Sequence, residues 1–414
     1  MKRLLIILLS LPLFVHAQEI TTLELPKQIK HEISFNSNLL FESSSLDKSF
    51  LNTMLYGGYI TDTMKSKWIN AGGNNNIIYT EISNSIAYNY HFKNQSIGFS
   101  FADRNILNAS FTDDLLRLGF EGNFHHQDKT LDFGGTSIRA DRFQQYKLSY
   151  AYKGVKAGLS FLAGNHHLSY IVEKGSLYTA PFGTSLDIAY DMNAFVTDTS
   201  TANPFANNGN GMALDLSTDF SINAYDIHLS LTDLGFIMWN PSSITLATDS
   251  NFSFSGIEVE DAFNFNDSLI EISTPEDILK TNNNAFKSYI PATFHVSISG
   301  DVEHECFTTF RAGIVAKWQP HQDNMLLSFA KIGQGFRESN FSPLFYLKTQ
   351  AIMKYGTILP SISYGGYTAD FNLGLAYSVG KKHKFILGSH HIEDILNGDK
   401  TKAVSLYLTL STQF

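Results

Sequence analysis

The sequence has little cysteine, few charged residues and no long apolar segment beyond its first residues. The single cysteine, Cys306, can form no disulfide within the chain and cannot build a cysteine-rich metal site. Charged residues make up 17% of the 414 residues and the net charge is −9, which argues against the clustered Lys and Arg of a nucleic-acid-binding protein. Later apolar runs are short and broken by Gly, Ser or Asn, so no transmembrane helix is predicted.

Sequence motifs of catalysis are absent as well. The chain contains no HExxH, GxSxG, P-loop or CxxC pattern. Its densest histidine pair is His166-His167, and adjacent residues of a strand point to opposite faces, so this pair cannot chelate one metal ion. We therefore predict no enzyme activity, no catalytic residue, no metal site and no cofactor.

What the sequence does have is alternation of apolar and polar residues, and it is clearest at the C-terminal end. Val404, Leu406, Leu408 and Leu410 share one face of a strand, and small polar residues such as Ser405 share the other. The same period-two pattern recurs in segments 78–92, 97–101, 145–152, 155–161, 212–222, 290–299 and 370–379. A β-sandwich would also alternate, but so many segments favour an all-β protein, a transmembrane antiparallel β-barrel. We expect about 14 strands, with about 16 as the alternative, short helical insertions and a partial plug.

The N-terminal residues predict export. Lys2 and Arg3 precede an apolar run from residue 4 to residue 15, and Val15-His16-Ala17 fits the small-residue rule for cleavage. Residues 1–17 are predicted to be a cleaved signal peptide and residues 18–414 the barrel, located in the cell outer membrane. Strand parity places Cys306 with Phe310, Ile314 and Trp318, on the face toward lipid or the membrane interface.

Several segments interrupt the strands. Residues 42–76 form an insertion in which Leu46 to Tyr56 has helical spacing behind Ser44 as N-cap. Its side chains Phe50, Met54 and Leu55 need an apolar surface, so we predict that residues 42–76 plug the periplasmic end of the barrel. Residues 264–287 are predicted to form a long loop with a capped helix, and shorter helices are expected at residues 111–120 and 391–396.

Charged residues on the polar faces of the strands are candidates for the barrel lumen. By parity with the apolar faces, ten point inward: Lys147, Lys156, Asp187, Asp191, Asp215, Asp219, Asp226, Arg311, Lys317 and Lys348. One interpretation is that they pair across the lumen and make the barrel rigid. The other is a polarised channel, acidic on one wall and basic on the other.

Two short motifs carry a resemblance to a known group. Asp233 to Asn240 reads DLGFIMWN and closes a strand, and Tyr289 to Ala292 reads YIPA at the entry to another. With Ser255-Gly256-Ile257 between them, the chain resembles the FadL/PorV-like outer-membrane barrels common in Bacteroidota. The FadL relatives imply passage of small hydrophobic molecules. The PorV relatives imply an accessory or structural subunit that works with secretion machinery.

Two functions therefore remain open at the level of the sequence. One is a binding or transport barrel, such as a FadL-like channel for small hydrophobic ligands. The other is an accessory barrel in an outer-membrane complex, whose partners would be outer-membrane lipid and a protein of the complex. Nucleic acid is not expected as a partner.

Overall fold

The computed structural model describes residues 30–197, 203, 205–254, 280–302, 304, 307–320, 329–393, 398 and 401–414. The predicted signal peptide, Cys306 and residues 264–279 of the predicted loop helix lie outside these ranges. In the described parts, the strands are β1 (His31–Ser43), β2 (Asn76–Phe92), β3 (Gln95–Phe111), β4 (Thr130–Asp132), β5 (Ser137–Tyr152), β6 (Val155–Thr179), β7 (Leu186–Val196), β8 (Gly209–Ile222), β9 (Tyr225–Trp239), β10 (Ile244–Phe254), β11 (Lys280–Asn283), β12 (Lys287–Tyr289), β13 (Ala292–Asp301), β14 (Thr309–Trp318), β15 (Ser342–Met353), β16 (Gly356–Gly366), β17 (Asp370–Val379), β18 (His383–Ser389) and β19 (Ala403–Gln413). The helices are α1 (Lys48–Tyr56), α2 (Asp62–Ala71), α3 (Asp113–Glu121) and α4 (Phe329–Glu338).

Fourteen of these strands close into one antiparallel barrel. The ring runs β1, β2, β3, β5, β6, β8, β9, β13, β14, β15, β16, β17, β18, β19 and returns to β1. Its closure is an antiparallel ladder from Glu32 opposite Gln413 to Glu42 opposite Ala403. The predicted fold class and the preferred strand number are therefore confirmed.

The alternation of the sequence explains which side of each strand faces out. Leu159 is 61% exposed on the outer face, whereas its neighbour Ser160 is 1% exposed toward the lumen. The last strand behaves in the same way, because Leu406 and Leu410 are exposed while Ser405 is buried. An apolar belt around a closed barrel requires lipid as its cover, whereas a small polar lining suits a lumen.

The two ends of the barrel differ in their connections. At the end where β1 begins and β19 ends, tight turns such as Lys153-Gly154 join the strands, and His31 N–H donates to the carbonyl of Phe414. We call this the terminal end. The far end carries the long connections, which include α1 to α4. Short turns are typical of the periplasmic side of outer-membrane barrels and long loops of the outside.

The same sheet branches beyond the ring at the far end. β6 is 25 residues long: its first part pairs with β8 in the ring, and Leu168–Thr179 pair with β7 instead. β7 then pairs with β10, and β10 with β11. Residues 280–283 are thus a strand, so the end of the predicted helix in 264–287 is wrong.

The predicted helices at residues 46–56 and 111–120 are present with small changes. α1 begins one residue after Asp47, whose carboxylate accepts from the Phe50 N–H, so Asp47 and not Ser44 is its N-cap. Thr112 caps α3, where its side chain accepts from the Leu115 N–H. No helix among the described residues is both long enough and apolar enough to span a membrane.

Candidate functional site

The middle of the lumen is crossed by a network of buried ion pairs, which we call the lumen network. The Arg104 guanidinium on β3 donates to Asp233 on β9 at 2.8 Å and to Glu81 on β2 at 3.0 Å. Lys147 on β5 pairs with Asp215 on β8 and lies 3.5 Å from Asp233. Charges buried in this way need partners on every side, and each charge in the network has an opposite charge beside it.

An aromatic cluster closes the lumen beside this network. Tyr79 on β2 stacks on Tyr367 from the β16–β17 turn, with ring centroids 3.8 Å apart, and Phe341 meets Tyr367 edge-on. The Lys317 ammonium on β14 lies about 5 Å from all three rings and donates to the Tyr79 hydroxyl at 3.2 Å. Because β2 and β14 are seven strands apart in a ring of fourteen, this contact joins opposite walls of the barrel.

Toward the far end, buried polar side chains lie among apolar ones, and one group of them is charged. Arg139 Nε and His167 Nδ1 each lie 2.7 Å from the Asp141 carboxylate, and all three side chains are buried. The other nitrogen of His167, Nε2, has no hydrogen-bond partner, and its ring lies against Trp239 and Phe286. Among the described residues no group of three or more His, Cys, Asp or Glu side chains could hold a metal ion.

Most of the predicted lumen charges are placed in the lumen. Two of them, Lys147 and Asp215, belong to the lumen network, and Lys317 belongs to the aromatic cluster. Five more lie on the inward face of ring strands: Lys156, Asp219, Asp226, Arg311 and Lys348. The prediction is wrong for Asp187 and Asp191. They lie on β7, which follows the same alternation but belongs to the branch beyond the ring.

Sequence reasoning missed the centre of the network. Arg104 lies three residues beyond the alternating segment 97–101 and on its inward face. A prediction that extended this strand would have counted Arg104 among the lumen charges. Asp233 was part of the DLGFIMWN motif but was given no role. It has a left-handed φ of 59° at a bulge where β8 and β9 slip in register, a feature that period-two parity does not detect.

The bulge at Asp233 begins an interruption in the barrel wall. β9 pairs with β13 up to Thr232 and with β12 from Phe236 onward. Between these ladders the Ile290 N–H donates to the Gly235 carbonyl, whereas Pro291 has no N–H to donate. We call residues 233–235 and 290–291 the wall break; the DLGFIMWN and YIPA motifs meet there.

An apolar pocket lies at the wall break and opens on the outer face. We call this cavity of about 220 Å³ the wall pocket. It is lined by Leu159, Met212, Ala213, Leu214, Leu234, Gly235, Phe236, Tyr289 and Trp318. α4 lies over the Trp318 edge of the pocket. Its Gly335 is so close to the Trp318 indole that a side chain at this position would clash with the ring. The pocket therefore offers apolar volume to a molecule that arrives from the membrane.

The predicted plug side chains lie elsewhere. Phe50 on α1 packs edge-on against Trp68 on α2, Leu55 is half-buried, and Met54 is 42% exposed. Together α1, α2 and α3 form a small core at the rim around Leu46, Trp68, Ile69 and Leu116. This core adjoins Ile78 and Phe111, which face outward on β2 and β3. Residues 44–75 connect β1 to β2 at the far end, where the helices pack at the rim, so a plug at the periplasmic end stays a prediction.

Comparisons with known proteins find similar barrels at low identity. The toluene transporter TbuX of Ralstonia pickettii has a TM-score of 0.39 and 9% identity, with 93% of this chain and 90% of that chain covered. A mutant of the monoaromatic hydrocarbon channel TodX has a TM-score of 0.43 and 8% identity, with 93% and 91% covered. An outer membrane channel of Pseudomonas putida F1 has a TM-score of 0.32 and 8% identity, with 96% and 100% covered.

Sequence comparison gives one family. No curated protein matches the chain. The model of a family of unknown function, DUF5723, matches residues 21–389. Since this match covers most of the sequence, the chain belongs to the DUF5723 family.

Proposed function

We propose that this protein is an outer-membrane barrel that binds small hydrophobic molecules in the wall pocket and is not an open pore. The observation that carries the proposal is an apolar pocket at the point where β9 changes partner from β13 to β12. Pockets that bind small molecules are concave and mostly apolar, and this one faces the phase in which such molecules dissolve. In this proposal residues 1–17 direct export, and the terminal end faces the periplasm.

The closed lumen supports binding at the wall over free diffusion through the barrel. Arg104 and Lys317 join distant walls, and the residues between them are buried. A hydrophobic molecule passing straight through would have to displace both cations. The pocket instead lies on the outer side of the wall break, with Asp233 of the lumen network on the inner side.

Trp318 gives the pocket an intrinsic reporter. We would reconstitute the protein in lipid nanodiscs and titrate it with 1-bromooctane, whose bromine quenches tryptophan fluorescence. The expected result is saturable quenching that is lost in Trp318→Phe and weakened at least fivefold in Leu159→Phe, which fills the pocket. The matched control is Leu148→Phe, because Leu148 is directly opposite Leu159 in the ladder and does not line the pocket. Quenching that rises linearly with 1-bromooctane, and equally in Leu159→Phe and Leu148→Phe, would refute the proposal.

A second candidate function is an accessory barrel that docks a protein of an outer-membrane or secretion complex, as PorV-like relatives would. It is favoured by exposed aromatic residues at the far end. Phe182 is 90% exposed with a left-handed φ of 60°, and the Gln127 side chain bonds both to its N–H and to the Phe124 carbonyl. An exposed ring held in a strained conformation is typical of a contact site.

The two functions can be separated by one comparison. Phe124→Ala/Phe182→Ala should reduce co-purification of a partner protein from native membranes while leaving bromooctane quenching intact. Leu159→Phe should do the opposite. If Phe124→Ala/Phe182→Ala co-purifies the same proteins in the same amounts as the intact barrel, the accessory function is refuted.

A further inference from the structure

One lysine lies beside the wall pocket on the outer face of the barrel. Lys287 on β12 is directly opposite Met238, which is 47% exposed on the outer face, whereas the next residue, Ser288, is fully buried on the other face. The Lys287 ammonium lies 5.0 Å from the centroid of the Tyr289 ring and 5.7 Å from that of the Phe236 ring. Both rings line the pocket, so a positive charge is held at its edge.

The level of Lys287 in the membrane follows from the length of β9. Phe236 is eleven residues after Tyr225, whose half-exposed ring lies at the terminal end. At about 3.3 Å per residue and a strand tilt of about 45°, these two residues are about 26 Å apart along the barrel axis. The apolar band of an outer-membrane barrel is about 25 Å tall, and aromatic residues flank it on both sides. Lys287, opposite Met238, therefore lies just beyond the band, at the level of the lipid head groups.

The wall pocket runs from this level into the apolar band. Phe236 and Tyr289 line its far-end side, whereas Leu159, which also lines it, is only four residues after the start of β6 at the terminal end. The acyl chain of a lipid runs in the same direction, from the head group toward the middle of the membrane. In the part of the chain that the structure describes, the Lys287 ammonium lies against aromatic rings and forms no ion pair with a carboxylate. The pocket thus combines a cation at the head-group level with apolar volume below it.

We propose that the wall pocket and Lys287 together bind a membrane lipid with a phosphate head group. Its chain lies in the pocket, and its phosphate pairs with the Lys287 ammonium. Contacts between an ammonium and a phosphate are charge-assisted, and such contacts are stronger than hydrogen bonds between neutral groups. Because the pocket opens on the outer face, a lipid reaches it by moving within the membrane. This inference rests on the proposed function, since it names the class of molecule that the same pocket takes.

The test uses the full-length barrel in dodecyl maltoside, a detergent without phosphate, and follows the quenching of Trp318 by 1-bromooctane. Octyl phosphate, 1-octanol and inorganic phosphate are added as competitors. Octyl phosphate should relieve the quenching in the intact protein, and the concentration needed should rise at least tenfold in Lys287→Met. 1-Octanol should compete equally in both proteins, because it has the chain without the charge. Inorganic phosphate has the charge without the chain and should not relieve the quenching.

The matched control is Lys354→Met. The Lys354 ammonium also lies 5.0 Å from a tyrosine ring, that of Tyr355, but in the turn between β15 and β16 at the terminal end. Lys354→Met should leave competition by octyl phosphate unchanged, and Lys287→Arg should keep it within threefold, because the charge is retained. Folding is checked by the heat-dependent shift of the barrel on gels, and Lys287→Gln takes the place of Lys287→Met if the latter does not fold.

The outcomes separate this inference from the proposed function. Saturable quenching by 1-bromooctane, with octyl phosphate competing equally in the intact protein and Lys287→Met, would overturn the lipid inference alone. An equal loss of competition in Lys287→Met and Lys354→Met would also overturn it, because it would indicate a general charge effect. Relief by inorganic phosphate would overturn it in favour of a site for a free anion. Absence of saturable quenching by 1-bromooctane would overturn the proposed function, and the lipid inference with it.

Discussion

Replacing Arg104 by leucine should weaken the barrel and open its lumen. Arg104 joins Glu81 on β2 to Asp233 on β9, at 3.0 Å and 2.8 Å. Both carboxylates are buried, so the substitution leaves two negative charges without their main partner. Removing one partner of a buried ion pair costs about 3–5 kcal/mol.

The surrounding contacts set the expected size of the effect. Asp233 keeps the Gln145 amide at 2.8 Å and Lys147 at 3.5 Å, and Glu81 keeps the Tyr79 hydroxyl at 2.7 Å. Two hydrogen bonds to charged groups are lost, each contributing about 1.5–3 kcal/mol, and the remaining bonds compensate in part. We therefore expect Arg104→Leu to lower the free energy of unfolding by about 3 kcal/mol.

Two measurements check this prediction. Urea unfolding in lipid vesicles, followed by tryptophan fluorescence, gives the free energy, and planar bilayers give the ion conductance. The intact protein should conduct little, and Arg104→Leu should conduct more. Arg117→Leu is the control, because Arg117 forms its ion pairs on the half-exposed surface of α3 and should cost less than about 1 kcal/mol. A cost below about 1 kcal/mol for Arg104→Leu, with unchanged conductance, would refute the argument.

Three further predictions concern the lipid face, the rim and the lumen closure. Leu408→Arg should cost about 2–4 kcal/mol if Leu408 lies near the bilayer midplane, and an unchanged free energy of unfolding in vesicles would contradict its outward placement. Burial alone would lower the pKa of His391, but hydrogen bonds to Glu393 and Glu42 raise it to about 9. Its contribution to stability should therefore be complete below about pH 6.5 and lost as the pH rises through about 9. His391→Gln should remove that pH dependence. If the stability of the variant changes with pH as that of the intact protein does, the pairing of His391 with Glu42 and Glu393 is contradicted. Deleting residues 45–70 should leave the conductance low, whereas Tyr367→Ala should raise it, because Tyr367 contacts the lumen and the deleted helices pack at the rim. A higher conductance after the deletion, without one in Tyr367→Ala, would indicate that residues 42–76 obstruct the lumen.

The alternation of the sequence predicted the fold because it reports the environment of each strand face. One face of Ala403–Gln413 touches lipid and the other the lumen, so period-two patterning is a direct physical consequence of the barrel. The same reasoning placed Lys147, Asp215 and Lys317 inward. It failed for Asp187 and Asp191 because a strand of the branch beyond the ring alternates just as a ring strand does.

The closure of the lumen could not be predicted from pattern alone. It depends on pairs that are far apart in the chain, such as Arg104 with Asp233 and Lys317 with Tyr79. Parity tells which face a residue occupies but not which residue of another strand lies opposite across the lumen. The surface that α1 meets could not be predicted for a related reason, because an amphipathic helix indicates that it needs an apolar surface but not which surface it meets.

The ladder between β1 and β19 joins segments that lie about as far apart along the chain as the sequence allows. Closing a loop of that length brings a large entropic cost before any contact between the two strands forms. Until β19 is in place, the edge of β1 that it will cover has no partner. A partly folded chain therefore presents an unpaired strand edge that can pair with another chain. We therefore expect folding of this protein to be slow and all-or-none in its final step, with truncated chains prone to aggregation.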